Sequence, residues 1–154
     1  MNIILSAGSG TGPTVRAAYD AALISTGVTH YNMICLTSVI PPHSRIYRDK
    51  YLAPTDDYGK RLYVVTSQMS QERPGQWAHA ALGWVQEERT GRGLFIELQG
   101  HDLSRLQSDL RATAAAMQGS RQIPYGPVQS EIVSIPCRLQ PVCALVIAVF
   151  TRKP

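Results

Sequence analysis

Residues Val142 to Thr151 form a nearly continuous apolar run of Val, Cys, Ala, Leu, Ile and Phe. Neither a two-residue nor a 3.6-residue period is visible in it. A run this short and this apolar is expected to be a central strand buried on both faces, so it needs strand neighbours and a covering layer above and below. A thin one-sided sheet cannot satisfy it. At 154 residues the chain has length enough for one core of this kind, because folding at this size buries roughly 70% of the surface the unfolded chain exposes. Two independent domains would be too small, and no internal repeat, low-complexity tract or linker divides the chain. Residues 1–154 are therefore read as a single domain.

The remaining elements come from period and punctuation. Asn2 to Ala7 is a short apolar strand that reads as entering a glycine loop, Gly8-Ser9-Gly10-Thr11-Gly12-Pro13. Thr14 to Thr26 then changes to helical period, with Val15, Ala18, Ala22 and Leu23 on one face, Thr14 as N-cap and Gly27 as the stop. Asn32 to Val39 reads as one strand closed by Pro41-Pro42. His43 to Lys60 has no clean period and reads as loop. Further strands are expected at Arg61 to Gln68, Gln76 to Glu87, where Ala78, Ala80, Ala81 and Leu82 would also suit a helix, Leu94 to Gln99 and Pro127 to Ile135, with the second and third of these joined as a hairpin through Thr90-Gly91-Arg92-Gly93. Leu103, Leu106, Leu110, Ala114 and Met117 mark a second long helix over Leu103 to Gln118. Two helices among strands that pair in sequence imply α+β layers, not a regularly alternating parallel sheet.

Composition excludes several function classes. With 44% apolar and 17% charged residues the chain is globular, and no apolar run reaches the roughly 20 residues of a membrane helix. The net charge of +4 is spread over scattered Lys and Arg, without a basic stripe interleaved with aromatics, so no nucleic-acid partner and no membrane association are expected. Cys35, Cys137 and Cys143 form no Cys-x-x-Cys pair, and His30, His43, His79 and His101 no i, i+4 pair, so neither a disulfide framework nor a metal site is expected. The four histidines read as ordinary surface or edge residues. Met1 to Leu5 lacks the features of a secretory signal, which makes a cytoplasmic location the expectation. The Gly8-x-Gly10-x-Gly12 run invites a phosphate-loop reading, but Pro13 stands where a dinucleotide fingerprint has its third glycine and no Gly-Lys-Ser/Thr follows, so a tight strand-to-helix turn is the better reading.

Three carboxylates stand out by position: Asp20 inside an Ala-rich helix, Asp102, and Glu97 among Phe95, Ile96 and Leu98, where an ionised group costs free energy unless paired. Glu97 on a solvent-facing edge strand is the bland alternative. The segment that gives these residues a chemical context is Asn32 to Pro42. Its Thr37-Ser38 bond, at a strand end before Pro41-Pro42, invites backbone chemistry: attack of the Ser38 hydroxyl on the Thr37 carbonyl gives an ester, and β-elimination with loss of ammonia leaves a pyruvoyl group in place of Ser38. That requires a well-held bond and a donor to polarise the carbonyl, for which Asn32 is a candidate.

These residues resemble the pyruvoyl-dependent arginine decarboxylase family. The blocks that carry the resemblance are the glycine run, Asp20-Ala21-Ala22-Leu23, Thr37-Ser38-Val39-Ile40-Pro41-Pro42, Pro74-Gly75-Gln76 and Gly93-Leu94-x-x-Glu97. The resemblance implies a layered αββα sandwich with mixed and antiparallel sheets, assembled as a homotrimer or hexamer with sites at subunit interfaces. It implies self-cleavage between Thr37 and Ser38 into a 1–37 chain and a 38–154 chain, with a covalent pyruvoyl cofactor derived from Ser38. By position, Asn32 supports processing, Glu97 is the catalytic glutamate and Asp20 meets the guanidinium of an amino acid substrate. Decarboxylation of arginine to agmatine is the implied reaction; a different amino acid, such as histidine or aspartate, and a non-catalytic protein of the same fold are the alternatives.

Overall fold

A computed structural model describes residues 1–151. Among these, two helices and nine strands form four layers. The first sheet has the order β2-β5-β9-β1-β4, built from β1 (Asn2–Thr11), β2 (Asn32–Cys35), β4 (Arg45–Arg48), β5 (Arg61–Gln71) and β9 (Val142–Thr151). β9 is antiparallel to both β1 and β5, while the edge pairs β1-β4 and β2-β5 are parallel. The second sheet is wholly antiparallel, in the order β3-β7-β6-β8, from β3 (Val39–Ile40), β6 (Trp77–Gln86), β7 (Gly93–Gly100) and β8 (Gln129–Pro136). Helix α1 (Val15–Thr26) covers the first sheet and α2 (Leu103–Gly119) the second. The α+β class and the αββα layering expected from the sequence are both present.

The apolar run Val142 to Thr151 is the centre of the first sheet, and alternation explains its lack of polar residues. Val142, Ala144, Val146 and Ala148 face the second sheet, in one cluster with Ile3, Leu5, Ala80, Leu82 and Phe95. Cys143 and Leu145 face Ala18 and Ala22 of α1, and Ile147 and Val149 pack with Val28 and Val64. Both faces are covered, so each position gains from being apolar.

Three expectations about strands and loops are corrected. The strand expected to stop at Ala7 continues through Gly8 and Gly10 to Thr11, paired residue for residue with β9, and none of Gly8, Gly10 and Gly12 has the positive φ of a tight turn. Gly10 is glycine because α1 lies directly on it: a Cβ there would stand 2.3 Å from the Ala18 oxygen and 2.4 Å from the Ala22 nitrogen. Asn32 to Val39 is not one strand either. It leaves the first sheet after Cys35 and enters the second at Val39. Within the supposed loop, Arg45–Arg48 forms the parallel edge strand β4, and Thr55–Asp57 a 3-10 turn.

The hairpin of β6 and β7 stands as expected, as does the capping of α1. Thr14 Oγ1 accepts from the Ala17 N–H, and Gly27 closes the helix with φ 86°. Asp102 is the N-cap of α2, its carboxylate accepting from the Arg105 N–H. That accounts for one of the three notable carboxylates without any chemistry. His79 departs from the surface reading, being 5% exposed on β6, with Nδ1 2.7 Å from the hydroxyl of Ser134 on the neighbouring β8. Burial holds its pKa below the usual histidine value.

Candidate active site at the crossing between the sheets

The chain crosses from one sheet to the other within a few residues, and the Thr37-Ser38 bond lies in the crossing. Upstream, the Leu36 N–H donates to the Val64 oxygen of β5 at 2.8 Å; downstream, the Phe95 N–H of β7 donates to the Ser38 oxygen at 2.7 Å. Between these anchors, the Val39 N–H donates to the Thr37 oxygen at 2.8 Å, a three-residue γ-turn centred on Ser38. Val39 and Ile40 then pair with Leu94 and Gly93.

Strand alternation decides what Ser38 faces. On β7, Ile96 packs towards Leu110 and Ala114 of α2, while Phe95 points between the sheets. Glu97 shares the parity of Phe95 and lies beside the crossing chain. The Ser38 hydroxyl donates to the Glu97 carboxylate, with Oγ 2.7 Å from Oε1 and 2.8 Å from Oε2. A hydroxyl held by both oxygens of a carboxylate is a strong, charge-assisted contact between residues 59 apart in sequence. It also supplies the partner that a carboxylate on an inter-sheet face requires.

Asn32 and Asp20 are not drawn into this contact. The Asn32 amide donates to the Gly59 oxygen at 2.7 Å, at the opposite end of β2 from Ser38. Asp20 is exposed on α1 and makes no hydrogen bond or ion pair among the described residues. A cleft of about 540 Å³ lined by His43, Ser44, Arg45 and Arg89 among others does not include Ser38 or Glu97. The turn closed by the Val39 N–H on the Thr37 oxygen is the feature of this crossing that the sequence did not disclose, since no side-chain pattern marks it.

Residues 2–153 match the family model described as pyruvoyl-dependent arginine decarboxylase. The chain belongs to that family. Among curated relatives of that name, the protein of Halobacterium salinarum is 39% identical over 90 residues, 58% of this chain and 55% of the relative. The Methanothermobacter thermautotrophicus protein is 28% identical over 76% of this chain and 72% of its own length, and that of Thermococcus kodakarensis 25% identical over 97% and 93%. The matched stretch thus spans little more than half the length of the halobacterial relative. Pyruvoyl-dependent arginine decarboxylases, as the family name says, use a covalent pyruvoyl group, and the residues here fit its formation from Ser38: the hydroxyl is held, and the carbonyls on both sides of Ser38 are hydrogen-bonded.

Proposed function

We propose that this chain is a self-processing arginine decarboxylase that cuts itself between Thr37 and Ser38 and converts arginine to agmatine and carbon dioxide. The observation that carries this reading is the Ser38 hydroxyl clasped by Glu97 where the chain crosses between two sheets. Loss of carbon dioxide leaves an electron pair that ordinary side chains cannot delocalise, and a pyruvoyl group at position 38 supplies the carbonyl that can.

The chain's own residues do the rest. Glu97, already within hydrogen-bond distance of the residue that becomes the group, is placed to deliver a proton to the substrate carbon that has lost its carboxylate. Asp20 offers an exposed carboxylate for a bidentate, charge-assisted bond to a guanidinium, which selects arginine over shorter or uncharged side chains. Asn32 steadies the start of β2 through the Gly59 oxygen and thereby the segment leading to the scissile bond. Ile34 and Val39, apolar and 37% and 57% exposed on either side of the crossing, favour a site covered by a neighbouring copy in a trimer or hexamer, from which Asp20 would be donated. Three unpaired thiols, one of them exposed, suit a reducing cytoplasm.

The test is a denaturing gel with intact masses, combined with release of carbon dioxide from a panel of amino acids. The expected result is two chains, 1–37 and 38–154, the longer one with a blocked, borohydride-reducible terminus, and turnover of arginine above all others. Ser38→Ala should remain one inactive chain. A Ser38→Ala protein that is still cut and active overturns the reading.

A further inference from the structure

We infer that the backbone N–H of Val39 is the catalytic donor that polarises the Thr37 carbonyl during self-cleavage. The inference rests on processing at Thr37-Ser38 and assigns the donor that such processing needs. The Thr37 oxygen is the atom that acquires negative charge when the Ser38 hydroxyl adds to its carbon. The donor found on it is the Val39 N–H, at 2.8 Å; the Asn32 amide is engaged with the Gly59 oxygen.

The turn is of the inverse form. His43 and Gln122 are the non-glycine residues with positive φ among those described, so Ser38 has negative φ, as the low-energy three-residue turn requires. Ser38 is at its centre, held through its own oxygen by the Phe95 N–H and through its hydroxyl by Glu97. One turn therefore brings together the attacking oxygen, the carbon attacked and the donor for the developing charge. The pairing of Val39 with Leu94 fixes the residue that carries this N–H. A preorganised N–H of this kind costs no reorganisation at the moment of reaction.

In the reaction, the bond from Ser38 Oγ to the Thr37 carbon forms as the carbonyl π pair moves onto the oxygen facing Val39. Collapse of that pair breaks the Thr37-Ser38 C–N bond, and the hydroxyl proton ends on the departing Ser38 nitrogen, giving an ester and a free amine. Loss of the Ser38 α-proton then breaks the Cβ–Oγ bond and releases Thr37 as a carboxylate. Water replaces the nitrogen of the remaining dehydroalanine, which leaves as ammonia. The Val39 N–H acts in the first of these steps.

The test replaces Val39 by its α-hydroxy acid, which keeps the side chain and turns the N–H into an ester oxygen. A second protein carries the same exchange at Phe95, removing the neighbouring bond to the Ser38 oxygen. Chains ending at Thr37 are counted by intact mass, with and without hydroxylamine, which cuts the Thr37-Ser38 ester once it has formed. The expected result is a fall of roughly 100-fold in cleavage for the Val39 ester, as for loss of one oxyanion donor, with no rescue by hydroxylamine and a much smaller fall for the Phe95 ester. Cleavage of the Val39 ester at the unmodified rate, rescue by hydroxylamine, or an equal fall for the Phe95 ester overturns the inference. Failure of the unmodified protein to cut at Thr37-Ser38 defeats the proposed processing itself and is read from the same masses.

Discussion

At the residue scale, the proposed reaction asks two things of the contact between Ser38 and Glu97. The hydroxyl needs an acceptor to hold it in place, and the later chemistry needs an acid. Glu97→Gln separates the two, because the amide keeps one acceptor oxygen for the Ser38 hydroxyl but cannot give up a proton as a carboxylic acid does. The variant is expected to be cut into two chains by mass while its decarboxylation rate falls by about 100-fold or more; turnover at the unmodified rate removes Glu97 from the proton transfer. Asp20 is exposed on α1 and has no hydrogen bond or ion pair to Ser38 or Glu97, so its proposed part is with substrate alone.

At the element scale, the contact between α1 and β1 shows how a pattern can be seen in the sequence and still be misread. Glycine at alternate positions after a strand suggests a loop, but in β1 alternation means one face, and here that face meets the backbone of a helix. Gly10→Ala would push a methyl group to 2.3 Å from the Ala18 oxygen and 2.4 Å from the Ala22 nitrogen, backbone atoms that cannot swing away. A loss of about 2 kcal/mol or more is expected from such overpacking, seen as a lower denaturation midpoint; an unchanged midpoint means that α1 does not sit this close. The buried strand β9 was legible from its unbroken apolar run and both long helices from their apolar period, because burial sets both patterns. β4 was not: Arg45 and Arg48 flank Ile46 and Tyr47 on an exposed edge, where charge discourages pairing with other chains and hides the strand signal. The break between β2 and β3 was equally hidden, since a chain that changes sheets keeps its β-rich composition while exchanging one set of hydrogen-bond partners for another. Ser38 and Glu97 could be picked from residue types and resemblance, but their meeting depends on that exchange, a tertiary event with no local signature.

At the scale of the whole molecule, the position of the scissile bond imposes a condition on the processed protein. Cleavage would assign β1, α1 and β2 to a chain of residues 1–37 and every other element to 38–154. The short chain then supplies two of the five strands of the first sheet. One of these, β1, is enclosed between β9 and β4 and paired with β9 from Asn2 opposite Thr151 to Thr11 opposite Val142. Withdrawing it would expose Ile3, Leu5, Ala18 and Ala22, all at most 2% accessible, along with the face of β9 that they cover. Each larger aliphatic side chain represents roughly 1.5–3 kcal/mol of burial, and a chain this short cannot rebuild a core on its own. The cut should therefore sever the backbone without dividing the domain. The two pieces are expected to co-elute in native size exclusion and to unfold in one cooperative transition, separating only in denaturant. A 1–37 fragment that elutes by itself under native conditions would contradict the enclosed position of β1 and, with it, a processed form that keeps this fold.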